Sequence, residues 1–279
     1  MAGRIAFQGA LGAYGHEACT QARPLHEPLP CATFEDSLQA VRDGRAELGM
    51  IAIENSTYGR VADVHRLLPD SGLSIVGEAF VRVRIALMAP EGRTISEIER
   101  VRAHLVLLPQ AHGFLDAHGI EALPAADSAG AAAELARTHA PGEAVLASRL
   151  AAETYGLDVL AENIEDHGHN TTRFLIMARE AQVPPRGSGP VLTTFVFRVR
   201  NIPAALYKAM GGFATNGVNM TKLESYMVGG HFTATQFYAD IEGHPDDPGV
   251  KLALEELGYF TTRLDILGTY PADPRRFEG

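Results

Sequence analysis

Reactive side chains are densest in His167-Gly-His169-Asn170-Thr171-Thr172-Arg173-Phe174, where imidazole, amide, hydroxyl and guanidinium groups run straight into an apolar strand expected over 173–177. A guanidinium at a strand start, beside amide and hydroxyl donors, makes a planar fork for a carboxylate. The alternative for Arg173 is a structural salt bridge with one of the many acids. His167 and His169 form a possible metal pair, but no Cys or third ligand accompanies them, and an exposed polar loop explains them as well. A second polar run, Glu54-Asn55-Ser56-Thr57-Tyr58, closes a strand expected over 48–53. Strand ends of open α/β sheets border the crevices where ligands bind, so these groups are candidates for substrate contact, against the alternative of a solvated loop. A third run, Gly9-Ala-Leu-Gly12-Ala13-Tyr14-Gly15, sits between a strand and a helix. It is not a dinucleotide fingerprint, because the second glycine would have to stand at Leu11. Its glycines still let the backbone approach a ligand, and the helix start offers N–H groups to an anion; an ordinary tight turn is the alternative.

Composition removes several chemistries. Of 24 basic residues in 279, only Lys208, Lys222 and Lys251 are lysines, and none lies in the first 200 residues. That region has no amine for a Schiff base and no P-loop lysine. Cys19 and Cys31 suit neither a disulfide framework nor a four-ligand zinc site. No Gly-x-Ser-x-Gly elbow supports a serine hydrolase; Ser128 and Ser148 read as helix N-caps and nothing more. The formal net charge of −10 disfavours nucleic acid and anionic membrane surfaces as partners. With no apolar run near the ~20 residues of a membrane helix and no secretory leader pattern, a soluble cytoplasmic protein is expected.

The elements that must position these groups follow from pattern. At roughly 150 residues per domain the chain holds about two domains. The Pro- and Gly-rich stretch 183–190 divides it, leaving 15 basic and 24 acidic residues in 1–185 and 9 and 10 in 186–279. The first part alternates strands and helices, hence α/β layers: strands over 5–8, 48–53, 74–78, 82–88, 144–147 and 173–177, and helices begun by Thr33, Ser128 and Ser148. The second part reads βαββαβ, a ferredoxin-like unit: a strand over 192–199, a helix with Pro203 in its first position, strands over 219–228 and 231–241 joined at Gly229-Gly230, a helix over 246–257 closed by Gly258, and a last strand.

Four segments in order carry a family resemblance: Phe7-Gln-Gly-Ala-Leu-Gly-Ala-Tyr-Gly15; Ile53-Glu-Asn-Ser56 followed by Gly59 and Val61; Tyr155-Gly-Leu157; and Asn170-Thr-Thr-Arg-Phe174 with its Thr-Arg-Phe signature. With the C-terminal unit, the chain resembles a monofunctional prephenate dehydratase carrying an ACT regulatory domain. No chorismate mutase segment is expected before residue 4. The resemblance implies a two-lobed, periplasmic-binding-protein-like catalytic region over 1–182 (lobe 1 about 1–81 and 162–182, lobe 2 about 82–161) and an ACT domain over 191–270. It implies conversion of prephenate to phenylpyruvate with loss of water and carbon dioxide, without metal or organic cofactor. Thr172 matches the family's catalytic threonine and would donate a hydrogen bond to the departing hydroxyl. Arg173 would hold a carboxylate, Glu54 could assist, and Gly12, Ala13, Tyr14, Asn55, Ser56, Thr57, Asn170, Thr171 and Phe174 would form the substrate site.

The family's Ser-His and Gln-Cys become Ala103-His104 and Gln110-Ala111 here, leaving His104 and Gln110 as candidate contacts. L-Phenylalanine is the expected allosteric ligand, at Ala204, Ala205, Leu206, Asn219, Met220, Glu224 and Ser225, although the family's Gly-Ala-Leu-Val and Glu-Ser-Arg-Pro are altered to Ala204-Ala-Leu-Tyr207 and Glu224-Ser-Tyr-Met227. A homodimer or homotetramer is implied. The competing readings are arogenate dehydratase and a non-catalytic amino-acid sensor.

Overall fold

Short apolar runs separated by Gly- and Pro-containing turns give many brief elements rather than a few long ones. The computed structural model describes residues 3–227 and 234–277. In chain order these are β1 (Arg4–Gln8), α1 (Tyr14–Ala22), β2 (Glu27–Cys31), α2 (Phe34–Arg42), β3 (Leu48–Asn55), β4 (Gly59–Arg60), α3 (Ala62–Leu67), β5 (Ser74–Arg82), β6 (Ala86–Ala89), β7 (Arg100–His104), α4 (His112–His118) and β8 (Glu121–Ala125). There follow α5 (Ser128–Thr138), β9 (Glu143–Ala147), α6 (Arg149–Tyr155), β10 (Asp158–Glu162), β11 (Thr171–Ala178), β12 (Val191–Val199), α7 (Ala205–Thr215), β13 (Met220–Met227), β14 (Ala234–Glu242), α8 (Pro248–Phe260) and β15 (Thr261–Pro271).

Among the described residues the strands form three sheets, ordered β2-β1-β3-β11-β5 with β4 beside β3, β10-β6-β9-β7-β8, and β13-β14-β12-β15. Two compact units emerge: the residues up to Val61 with Ala79–Phe174, and Ala62–Glu78 with the residues from Leu175 onward.

In the first unit, one side of the second sheet is packed by Ile85, Leu87, Val101 and Leu146. Met88 and Val145 pack instead against the Ala-rich α5 and α6. In the second unit, Phe195, Phe197 and Phe237 of the antiparallel sheet meet Phe213 of α7 and Leu257 of α8, with the Phe195 and Phe213 rings stacked at 5.8 Å. Each such ring contributes about 1.5–3 kcal/mol by leaving water. Residues 62–78 also belong to this unit. The His65 ring lies 4.9 Å from that of Tyr238, and Arg263 Nη2 donates to Pro69 O and Asp70 Oδ1 at 3.3 and 3.2 Å. Glu78, whose side chain is fully buried, accepts the Arg276 fork at 2.6 and 2.7 Å. A side chain at Gly268 would place its Cβ 2.2 Å from the Ile75 carbonyl oxygen, so only glycine fits there.

Several local expectations change. β2 has the sequence Glu-Pro-Leu-Pro-Cys, which reads as a breaker, yet it forms the sheet edge beside β1. Glu27 N bonds inward to Gly3 O, so by alternation Pro28 and Pro30 turn their missing donors outward, where an edge strand tolerates them. The expected strands over 74–78 and 82–88 are one long β5 and a short β6. Asp127, not Ser128, caps α5, because its carboxylate reaches Ala129 N and Gly130 N at 3.0 and 2.8 Å. Pro203 precedes the helix rather than opening it: α7 starts at Ala205, after Ala204 takes a left-handed φ of 62°. Gly258 lies inside α8, which runs to Phe260. The Gly229-Gly230 turn lies outside the described residues.

Candidate active site

A cavity of about 670 Å³ opens in the first unit. It lies at the ends of β1, β3, β7 and β9 and the start of β11, bordered by Gly12, Asn55, His104, Ser148 and Thr172. Its walls are mostly apolar, including Phe34, Met50, Val83, Leu107 and Phe174, with a small set of convergent polar groups. Such a balance suits a small organic ligand held by a few polar contacts.

The convergence centres on Asn55. Its Oδ1 accepts Thr57 N and Tyr58 N, both at 2.9 Å, which fixes the amide in an Asx-type turn. Its Nδ2 is thereby aimed at Asn170 Oδ1 (2.6 Å) and Thr172 Oγ1 (3.0 Å). Asn170 Nδ2 in turn donates to Gln110 Oε1, and Gln110 Nε2 to Val106 O at 2.6 Å. Thr172 Oγ1 accepts from Asn55, and a hydroxyl that accepts one bond still carries a hydrogen to donate. Asn55, Gln110, Asn170 and Thr172 all border the cavity.

The Gly-rich turn is tied down from the opposite side. Ser148 Oγ donates to Gly12 O at 2.6 Å, Tyr155 OH to Leu11 O at 2.8 Å, and Tyr14 OH to Arg84 O at 2.8 Å. Ser148 also accepts Ala151 N as the α6 cap, so it does more than cap a helix. Gly12 has φ +85°, and a Cβ there would lie 2.6 Å from Ala151 Cα. Gly12 N donates to His16 Nδ1 at 2.9 Å, and burial lowers the His16 pKa, favouring the neutral ring that accepts this bond. Burial, then Glu17 and Glu165, hold Tyr14 well above the usual phenol range, so it stays a donor.

Of the candidate site residues, Gly12, Ala13, Tyr14, Asn55, Asn170, Thr172 and Phe174 border the cavity. Others do not. Arg173 is the main correction. Successive side chains on a strand face opposite ways, and with Thr172 and Phe174 on the cavity wall Arg173 turns away. It is buried, with Nη1 2.8 Å from Glu54 Oε1, and neither residue borders the cavity. The fork expected for a ligand carboxylate is thus engaged with a protein carboxylate. Ser56 and Thr171 staple two strands together: Ser56 Oγ donates to His169 O at 3.2 Å and accepts Thr171 N at 2.9 Å. Thr57 is exposed and contributes its N–H to the Asn55 turn.

His104 and Gln110 do border the cavity, with four residues to which the sequence assigned no site role: Arg60, Asp127, Ser128 and Ser148. Arg60 follows the second polar run by two residues, and Asp127 lies one residue before the assumed cap. Among the described residues no group of three or more His, Cys, Asp or Glu is placed to hold a metal ion; His167 and His169 face each other with ring centroids 5.9 Å apart. In the second unit, Ala204, Ala205 and Leu206 form the start of α7. Asn219 and Met220 lead into β13, where Glu224 and Ser225 lie and Lys222 Nζ meets Glu224 Oε1 at 3.1 Å.

Comparison with known proteins matches residues 5–182 to the family "Prephenate dehydratase". A bifunctional N-acyl-homoserine lactone acylase/prephenate dehydratase of Komagataeibacter europaeus is 51% identical over 273 residues, covering 98% of this chain and 97% of that protein. The chloroplastic arogenate dehydratase/prephenate dehydratase 2 of Arabidopsis thaliana is 35% identical over 280 residues, covering 97% and 73%. The solved structure of the Arthrobacter aurescens prephenate dehydratase in complex with L-Phe superposes with a TM-score of 0.88 at 31% identity, covering 96% of this chain and 89% of that one.

Proposed function

The chain belongs to the prephenate dehydratase family, and on that premise we propose that the cavity of the first unit is where prephenate loses water and carbon dioxide to give phenylpyruvate. The observation that carries this reading is the Asn55–Thr172 pair, which holds a hydroxyl with its own donor hydrogen at the wall of a mostly apolar cavity. The ring hydroxyl of prephenate accepts that hydrogen bond. As the bond to the departing carboxyl carbon breaks, its electron pair completes the aromatic ring, the C–O bond opens, and carbon dioxide is released. The leaving oxygen takes up a proton to become water. Threonine is too weak an acid to be that proton's source at neutral pH, so Thr172 acts by stabilising charge developing on the oxygen. Arg173 and Glu54 act by fixing the strand that carries Thr172. Apolar walls favour decarboxylation, since a carboxylate is poorly solvated there while neutral carbon dioxide is not.

Incubating purified protein with prephenate should yield phenylpyruvate; prephenate recovered intact refutes the reading. The second reading, arogenate as substrate, is favoured by Asp127, the one carboxylate on the wall among the described residues. Arogenate carries an amine where prephenate carries a keto group, and phenylalanine would be the direct product.

The catalytic region is taken as residues 1–182, with two periplasmic-binding-protein-like lobes, and residues 191–270 as an ACT domain that binds L-phenylalanine through the starts of α7 and β13. The βαββαβ order supports this reading, as does the L-Phe complex of the Arthrobacter relative. A cytoplasmic homodimer or homotetramer completes it. A flat activity response to added L-phenylalanine would refute the allosteric part.

A further inference from the structure

Asp127 is the one carboxylate on the cavity wall among the described residues. It follows β8 and caps α5, half-buried, with Oδ1 accepting Ala129 N at 3.0 Å and Oδ2 accepting Gly130 N at 2.8 Å. Those donors are neutral backbone groups, so the charge is held in place rather than cancelled. Each oxygen keeps a lone pair for a further donor. Ser128 Oγ accepts His104 N at 3.0 Å, which ties the start of α5 to the end of β7, and a side chain at Gly130 would run into Asp127 Oδ2. A cap alone does not call for this charge, because Asn and Ser cap a helix as well as Asp does.

The carboxylate stands apart from the hydroxyl that Asn55 holds. The bonds linking Asn55, Asn170, Gln110 and Thr172 do not include it. Its charge instead reaches Tyr155, whose phenol pKa is raised by burial and then by Asp127. Tyr155 OH donates to Leu11 O in the Gly-rich turn, so Asp127 belongs to the side of the cavity formed by that turn and α6. In prephenate and arogenate alike, the leaving hydroxyl and the side chain stand at opposite ends of the ring. A ring whose hydroxyl meets Thr172 turns its side chain away from the Asn55 cluster.

We propose that Asp127 determines specificity at this site by accepting hydrogen bonds from the side-chain ammonium of an amino substrate, so that its charge favours arogenate over prephenate. This rests on the dehydratase reading above and deepens its second form. Prephenate has a keto oxygen there, an acceptor with no hydrogen to offer a carboxylate, and it carries one more unit of negative charge than arogenate. One carboxylate thus attracts one substrate and repels the other. The ammonium takes no part in the chemistry at the ring and is kept in the product. Asp127 therefore binds ground and transition states equally, and its contribution falls on KM.

The test is initial-rate turnover of arogenate and of prephenate, read as phenylalanine and phenylpyruvate, by wild type, Asp127→Asn and Asp127→Ser. Both variants keep a cap on α5 and remove the charge, and the serine variant serves alone if the asparagine variant does not fold. The ratio of kcat/KM for arogenate to that for prephenate should fall about 10–100-fold, the range of a lost charge-assisted hydrogen bond. The fall should come from a higher KM for arogenate and a lower one for prephenate, with each kcat within about threefold of wild type. A role confined to capping changes both substrates alike and leaves the ratio where it was. That result overturns the assignment, as does a wild type that turns over prephenate but not arogenate. A wild type that turns over neither overturns the dehydratase reading, and the Asp127 proposal with it.

Discussion

Replacing Thr172 by valine tests the proposed chemistry with little change of shape. The substitution keeps a β-branched residue in β11 and removes only the hydroxyl. One Asn55 Nδ2 hydrogen keeps Asn170 Oδ1 at 2.6 Å, while the other loses its acceptor at 3.0 Å and is left to water at the part-buried cavity wall. The stability cost should then be no more than about 1 kcal/mol. Catalysis loses a hydrogen bond aimed at charge that develops only in the transition state. Groups of that kind are worth about 2.7–4 kcal/mol, so kcat should fall about 10²–10³-fold while KM changes little. Thr172→Ser should recover most of the rate. The assay is phenylpyruvate formation at saturating prephenate, beside a chemical-denaturation curve for each variant. A valine variant whose kcat stays within threefold of wild type would refute the role. A fall in rate matched by an equal fall in folded fraction would refute it as well.

Gly12→Ala should cost about 2–5 kcal/mol, from a left-handed φ and overpacking against Ala151; an unchanged denaturation midpoint would contradict the close approach. Ala204→Gly should instead stabilise the protein by about 0.5–1 kcal/mol, relief of the left-handed conformation at φ 62° exceeding the added chain entropy; a lower midpoint would contradict it. His16 has its pKa lowered by burial. Between the folded and unfolded values the unfolded chain binds the proton and the folded chain does not. Its contribution is therefore complete above the ordinary value of about 6.5 and is lost as pH falls through the folded value. Titration of the His16 ring by NMR should give a pKa below 6.5, and His16→Asn should flatten the acid limb of the stability profile.

Much of the site was legible because polar residues concentrated where strands end. Asn55, Asn170 and Thr172 stood in two such runs, 115 and more positions apart, and folding brought the runs together. Arg173 departs from the expected carboxylate fork for a specific reason. A residue beside the cavity in sequence is on the wrong side of the strand if its parity is odd, and composition at a strand start does not fix parity. Arg60 was missed because it lies beyond the polar run, on a two-residue strand too short for any periodicity to register. β2 was missed because its prolines are permissible only at an edge, and edge position is a property of the sheet, not of the segment. The βαββαβ order was legible because Thr, Phe and Val are concentrated in β12 and two helices with apolar faces intervene between the strands.

Residues 62–78 give the second unit an unusual dependence. The Pro- and Gly-rich stretch around 183–190 invites cutting the chain there, as if the two halves could be exchanged between proteins like cassettes. Yet the sheet of the later half relies on a segment made more than a hundred residues earlier. A fragment starting at residue 186 would uncover Gly268 where Ile75 packs, the Tyr238 ring where His65 packs, and an Arg276 guanidinium without the Glu78 carboxylate. During synthesis the same dependence means that the last sheet completes itself on a template already laid down. The later half is inherited with the earlier segment that completes it or not at all.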